Sequence, residues 1–235
     1  MTKILLFNEP GFLGPDFNKD IVGITMGISQ ERLYSAYMQG IFPWFSEDDG
    51  EPVVWYSPEP RFCLRMEHFH APKSVEKFLR KTPFTYTFDK DFSAVIHGCR
   101  KMSRPDQRGT WIGNKMIRAY ETFHQNGFAH SVEVWHNGQL AGGFYGVLIG
   151  SVFFGESMFT LESNSSKSAF VLFAKTFAKC GGKLIDSQVY TENIARYGAL
   201  NISRDAFLRL EREYLPKPLE KNLKEEFEKA ASQKT

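Results

Sequence analysis

Residues 131–159 read SVEVWHNGQLAGGFYGVLIGSVFFGESMF, three apolar runs interrupted at His136-Asn137-Gly138 and at Gly150. Asn-Gly between apolar runs is a strong hairpin signal, because a two-residue type I′ turn needs positive φ at both central positions. The runs Ser131–Trp135, Gln139–Ile149 and Ser151–Phe159 are therefore expected as three consecutive antiparallel strands. Downstream, Phe170, Phe173, Ala174 and Phe177 mark the apolar face of a helix from Ser166 to Lys179, and Gly181-Gly182 stops it. A strand is expected over Lys183–Tyr190, then short helices near Asn193–Tyr197 and from Ser203 to Tyr214.

Upstream, a helix is expected from Asn114 to Gln125, ending at Gly127, and Phe92, Val95, Ile96 and Cys99 fall at helical spacing. Alternation at Phe62, Leu64 and Met66, and at Phe84, Tyr86 and Phe88, predicts two strands with one buried face each. A short basic helix lies between them at Lys73–Lys81, and a basic loop runs from Arg100 to Gly109. Nearer the N-terminus come a strand at Lys3–Phe7, a Gly/Pro-rich loop, and a helix capped by Ser29 that stops at Gly40. An aromatic loop, Ile41–Phe45, and an extended stretch, Val53–Ser57, follow.

Meander, helix, strand, helix is the order of acetyltransferase-like (GNAT) domains. The expected class is α+β: a small N-terminal α/β domain at residues 1–70, a GNAT-like domain with a mainly antiparallel sheet at 71–220, and a charged tail at 221–235. The tail, KNLKEEFEKAASQKT, holds too few apolar residues to require a packed place and reads as a solvated helix or a disordered end. Acetyl-CoA enzymes of this fold bind pyrophosphate on a glycine-rich turn at a helix N-terminus. Here that stretch, Thr160–Ser166, has no glycine and one acidic side chain. That argues against the rival reading of an acyl-CoA-dependent N-acyltransferase.

With 42% hydrophobic residues in 235, the chain can bury a sizeable core. The longest apolar run near the N-terminus, Ile4–Phe7, is too short for a signal-peptide core, and no run approaches the length of a membrane span, so a cytoplasmic protein is expected. Cys63, Cys99 and Cys180 are odd in number and form no metal-binding spacing, so they read as reduced packing thiols. The net charge of +2 is unevenly spread: residues 61–120 carry 13 Lys and Arg against 5 Asp and Glu, an excess of eight, which leaves the remainder at −6. Such a segment suits a polyanion, because each phosphate contact releases counterions. A non-catalytic RNA-binding protein would share that property, but would leave the polar pair and aromatic residues described next without work.

Seven stretches in order resemble the leucyl/phenylalanyl-tRNA-protein transferase family: GIFPWF at 40–45, WYSPEPR at 55–61, GTWI at 109–112, AHSVEVW at 129–135, AGGFYG at 141–146, FGESMF at 154–159 and KLIDSQ at 183–188. The resemblance implies transfer of Leu or Phe, and less readily Met, from aminoacyl-tRNA to proteins beginning with Arg or Lys, marking them for degradation. It implies neither metal nor CoA, so no cofactor is expected, and the protein is expected to be a monomer. The donor ester is already activated and the acceptor α-amine has a pKa near ~7.7–8.0, so alignment and proton management are the main tasks.

Asp186 and Gln188 are the expected catalytic pair. Two apart in a strand, they share a face, so the carboxylate can hold the Gln amide NH2 and aim its oxygen at the attacking amine. The alternative is a polar strand face with a satisfied hydrogen bond. Ser187 stands where many family members have Cys. The resemblance assigns Trp44 and Trp111 to stacking on the terminal adenine, which suits indole physics, although aromatic residues also serve as core. It assigns the aminoacyl pocket to Phe144, Phe153, Met158, Phe173 and Ile185, each equally a core residue, with Phe144 departing from the Met or Leu common in relatives. Glu156 is either structurally paired or holds a cationic substrate group. Lys73, Lys77, Arg80, Lys81, Arg100, Lys101, Arg104 and Arg108 are expected on tRNA phosphates. His124 and His130 have no nucleophile to pair with and read as structural.

Overall fold

The computed structural model describes residues 20–45, 52–102 and 112–233. The expected strand at Lys3–Phe7, most of the basic loop with Arg104 and Arg108, and Trp111 lie outside them. Strand β1 (Ile21–Thr25) leads to helix α1 (Gln30–Tyr37), where the Ser29 hydroxyl accepts the Arg32 N–H as N-cap. Gly40, at φ +68°, ends the turn after the helix. The aromatic stretch expected as a loop forms strand β2 (Phe42–Phe45), which pairs with β3 (Val53–Tyr56) in a three-stranded antiparallel sheet of order β1-β3-β2.

Then come β4 (Arg61–Arg65), α2 (Lys73–Leu79), β5 (Thr85–Phe88), α3 (Phe92–Lys101) and α4 (Asn114–Gln125). The meander is β6 (Ala129–His136), β7 (Gln139–Ile149) and β8 (Val152–Thr160). It is followed by α5 (Ser165–Lys179), β9 (Leu184–Asp186), α6 (Glu192–Ala195), β10 (Leu200–Ile202), α7 (Arg204–Tyr214) and α8 (Leu223–Ser232). The β6–β7 turn has positive φ at both Asn137 and Gly138, as a type I′ hairpin requires.

One seven-stranded sheet, of order β10-β4-β9-β8-β7-β6-β5, organises the rest of the fold. All its pairs are antiparallel except β8–β9, which runs parallel over Val152–Phe154 and Leu184–Asp186. Beyond Phe154, β8 continues while β9 has ended, so the sheet opens there. Buried side chains form two clusters, one on each face. One takes in α1, α3, α4 and α7 with the small sheet, the other α2, α5, α6 and α8.

Four expectations need correction. Strand β4, assigned to residues 1–70, lies inside the large sheet between β9 and β10, so the small sheet alone stands apart from it. β4 also buries both faces, with Phe62 and Leu64 in one cluster and Cys63 in the other. β9 is three residues long rather than running to Tyr190, because Gln188 adopts a left-handed φ of +61°. The tail packs: α8 buries Leu223 and Phe227 against α5 and β5, and Lys179 Nζ meets Glu226 at 2.6 Å. Two apolar residues four apart suffice for one helical stripe when a groove awaits them.

Candidate active site

Glu156 and Gln188 face each other where β8 and β9 part. Between Tyr145 and Gly146 of β7, the register of β8 skips from Ser157 to Gly155, so Glu156 is the extra residue of a β-bulge. A bulge leaves one residue without a ladder partner and re-aims its side chain. It also reverses the alternation of β8, which brings Phe153 and Met158, five apart, into the same cluster.

Hydrogen-bonding groups converge on Glu156 from α1, α4 and the turn after β9. The Gln188 Nε2 donates to Oε1 at 3.0 Å, the Tyr37 hydroxyl contacts Oε1 at 2.8 Å and the Tyr120 hydroxyl contacts Oε2 at 2.9 Å. The two hydroxyls also lie 2.5 Å apart. Two hydroxyls carry two protons, whereas the three oxygen–oxygen contacts need three. Tyr37 donates to Oε1 and Tyr120 donates to Oε2; a third proton joins the ring when the Glu156 carboxyl is protonated. Burial agrees, raising the Glu156 carboxyl to about 7 against the lowering effect of the two tyrosines.

Asp186 does not hold the Gln188 amide, contrary to the expectation from a shared strand face. The strand ends at Asp186, and this fully buried carboxylate is taken by Arg61, whose Nε and Nη2 donate to Oδ1 and Oδ2 at 2.9 and 2.6 Å. Oδ1 also accepts the Gln188 backbone N–H at 2.9 Å. The carboxylate that orients the amide is Glu156. Gln188 is held at its other end by the Phe62 N–H, which donates to its carbonyl at 3.1 Å. Among the described residues, the other non-glycine positions with positive φ are Asp89, Asn137 and Asn164, types that tolerate this region. A glutamine there costs about 1–2 kcal/mol, and such strain concentrates at functional sites.

Phe144, Phe153 and Phe173 pack ring against ring, with centroids 5.4 Å apart for Phe144–Phe173 and 4.6 Å for Phe153–Phe173. Ile185 joins them, and Met158 is half-buried at their edge. The five expected pocket residues thus form one cluster beside the opening of the sheet. Trp44 is half-buried in β2 and packs edge-on against Tyr56 at 4.9 Å. The expected phosphate contacts divide. Lys73, Lys77, Arg80 and Lys81 lie on and after α2, while Arg100 and Lys101 end α3 on the opposite face of the sheet, with Arg100 bonded to Asn114. His130 is bonded to Asp89 at 2.7 Å and His124 to the Ala129 carbonyl at 2.8 Å. All three cysteines are free and buried.

Sequence reasoning misses Arg61, Tyr37, Tyr120 and Glu211. Arg61 lies within the stretch WYSPEPR, yet an arginine after proline carries no signal of burial. Tyr37 and Tyr120 are ordinary apolar positions of their helices. Glu211 of α7 is 1% exposed, and neither carboxyl oxygen has a hydrogen-bond partner among the described residues. Burial pushes it well above the usual carboxylate range, against the pull of Arg61.

A mainly antiparallel sheet that opens beside a single parallel pair, with one helix following the meander and a buried carboxylate–amide pair at the opening, is an α+β fold of acetyltransferase-like topology. Among the described residues, no helix is long and apolar enough to cross a membrane and no group of side chains could hold a metal ion. The chain belongs to the leucyl/phenylalanyl-tRNA-protein transferase family: that family's model matches residues 63–212, and the model of its N-terminal domain matches residues 26–59. A leucyl/phenylalanyl-tRNA–protein transferase of Myxococcus xanthus is 47% identical over 188 residues, 80% of each chain. One of Syntrophus aciditrophicus is 47% identical over 218 residues, covering 93% of this chain and 89% of that one. Among solved structures, a GCN5-related N-acetyltransferase from Kribbella flavida overlaps 72% of this chain and 60% of its own at 10% identity, with a TM-score of 0.34.

Proposed function

We propose that this enzyme transfers leucine or phenylalanine, and methionine less readily, from aminoacyl-tRNA to the N-terminal Arg or Lys of acceptor proteins. It acts as a monomer in the cytoplasm, and the added residue marks the acceptor for degradation. The observation that carries this reading is the Gln188–Glu156 bond at the opening of the sheet. With its NH2 committed to Glu156, the Gln188 amide keeps its oxygen as an acceptor for an amine N–H.

The neutral α-amine attacks the ester carbonyl of the donor, the new C–N bond replaces the ester C–O bond, and the proton lost by nitrogen goes to the departing ribose oxygen. Gln188 is too weak a base to remove that proton. Its part is to accept one amine N–H and hold the lone pair on line. Both Gln188 and Glu156 are 8% exposed, whereas Asp186 is 0% exposed. Asp186 therefore serves Gln188 from behind, and Glu156 is the carboxylate available to a cationic group. Arg61, already committed to Asp186, does not compete with a substrate cation there. The aromatic cluster of Phe144, Phe153, Met158, Phe173 and Ile185 receives the aminoacyl side chain, Trp44 and Trp111 hold the terminal adenine, and the lysines of α2 meet tRNA phosphates.

Purified protein incubated with charged tRNAs and peptides of defined N-termini should move label from Leu-, Phe- and Met-tRNA to Arg- and Lys-initiated peptides. Gln188→Ala should transfer far more slowly with tRNA affinity kept. Transfer from acetyl-CoA in place of tRNA, or a near-normal rate in folded Gln188→Ala, refutes the reading.

A further inference from the structure

We propose that Arg61 is a positioning residue for the transfer reaction: it reaches no substrate, and acts by fixing Asp186 and, through it, the left-handed turn that carries Gln188. The inference deepens the reading of Gln188 given above and rests on it.

Arg61 is 1% exposed, and its guanidinium gathers three parts of the chain that are distant in sequence. From the turn after α1, the Gly40 carbonyl accepts Nη1–H at 2.9 Å. From the end of β9, Asp186 accepts the parallel bonds of Nε and Nη2. The guanidinium carbon lies over two rings, Phe42 of β2 at 4.9 Å and Phe207 of α7 at 4.4 Å. Gly40 is suited to this close approach. A Cβ there would lie 2.7 Å from Leu208 and 2.8 Å from Glu211, quite apart from its positive φ.

The consequence passes through one oxygen. Asp186 Oδ1 accepts from Arg61 Nε and from the Gln188 N–H, so the fork that orients the carboxylate also sets where the Gln188 backbone is held. The neighbouring residue completes the clamp, since the Phe62 N–H donates to the Gln188 carbonyl and the Phe62 carbonyl accepts the Ser187 N–H. Residues 61 and 62 thus fix both ends of the strained residue whose side chain meets Glu156.

Charge adds a reason for arginine. Asp186 shares its surroundings with Glu156 and Glu211, two further buried carboxyls. Without the guanidinium, Asp186 would be one of three buried carboxyls with no cation among them, an arrangement that burial makes costly. Lysine could supply the charge, but neither the parallel fork nor a flat group to stack over the rings.

Arg61→Lys therefore separates charge from geometry. In single-turnover transfer with saturating Leu-tRNA and an Arg-initiated peptide, it should lower the rate by roughly 10- to 100-fold, the scale of a misplacement of about 1 Å. Affinity for charged tRNA should stay at the wild-type value. The deciding measurement is the double variant Arg61→Lys/Gln188→Ala. If Arg61 acts through Gln188, the lysine should cost less than about threefold once Gln188 is gone, because groups acting as one unit are non-additive. An equal cost in both backgrounds overturns the proposal while leaving Gln188 in its role. A near-normal rate in Gln188→Ala alone overturns the underlying reading instead. Should Arg61→Lys fail to fold, Phe207→Leu, which removes one ring from the guanidinium and keeps its charge, takes its place in the same cycle with the same two outcomes.

Discussion

Replacing Glu156 by glutamine keeps the shape of the side chain and removes its ability to ionise. Burial raises this carboxyl from its ordinary 4.5 to about 7 in the folded protein. Between those values the folded protein binds a proton that the unfolded chain has released, so stability falls as pH rises through this window. At 1.36 kcal/mol for each pH unit of a window some two and a half wide, the penalty is about 3 kcal/mol, complete above pH 7 and absent below the unfolded pKa. Glu156→Gln should therefore match the wild type near pH 4 and exceed its stability by about 2–3 kcal/mol at pH 8. For a domain of this size that is roughly 5–10 °C in melting temperature. Urea or thermal unfolding of both proteins across pH 4–8 is the assay, and parallel stability curves would refute the reasoning. The same substitution should raise the KM for an Arg-initiated peptide about 10- to 100-fold, the worth of a charged hydrogen bond of ~1.5–3 kcal/mol, and leave that for charged tRNA unchanged. In the wild type, acceptor binding should strengthen as pH rises through about 7 and Glu156 becomes anionic; in the variant this dependence should vanish.

Three further outcomes are expected. Phe227→Ala removes a fully buried ring that packs on Phe88 at 5.7 Å, so it should cost about 3–5 kcal/mol in urea unfolding; a loss under about 0.5 kcal/mol would mean that α8 is not docked in solution. Phe144→Leu, at a position 3% exposed against Phe173, should shift donor preference toward Phe over Leu by at most about tenfold. Lost stability with an unaltered donor ratio would make Phe144 core alone. Replacing Lys73, Lys77 and Lys81 by alanine should reduce the slope of log tRNA affinity against log salt by somewhat under one unit for each phosphate that is no longer neutralised, whereas an unchanged slope moves the tRNA surface off α2.

Local pattern carries much of the fold. The bounds of α4, the three strands of the meander and the helix after it are legible because each rests on short-range rules: a 3.6-residue period, an alternation, an Asn-Gly turn, a terminating glycine. The edge strand β10 escapes because three residues with largely exposed side chains give no alternation to read. The tail escapes because its apolar stripe is Leu223 and Phe227 alone, and their burial depends on the groove that α5 and β5 provide.

Asp186, Gln188 and Glu156 of the candidate site are singled out by the sequence, whereas Arg61, Tyr37 and Tyr120 are not, nor are the relations among them. Alternation makes Asp186 and Gln188 partners on one strand face, as it does any two residues of a strand two apart. That pairing fails because a left-handed φ at Gln188 ends the strand, and no periodicity registers a single dihedral. Phe153 and Met158 would fall on opposite faces by the same rule, and only the bulge at Glu156 brings them together.

The sequence by itself determined most of the elements, the family and the types of chemical group available, since these follow from propensities and motifs contained within a few residues. Only the tertiary structure decided which group serves which. Arg61 meets Asp186 across 125 positions and Tyr37 meets Glu156 across 119. Pairings of that separation exist only once the sheet has aligned β4 with β9 and set α1 against β8. Burial then removes the water that would otherwise let each charge stand alone.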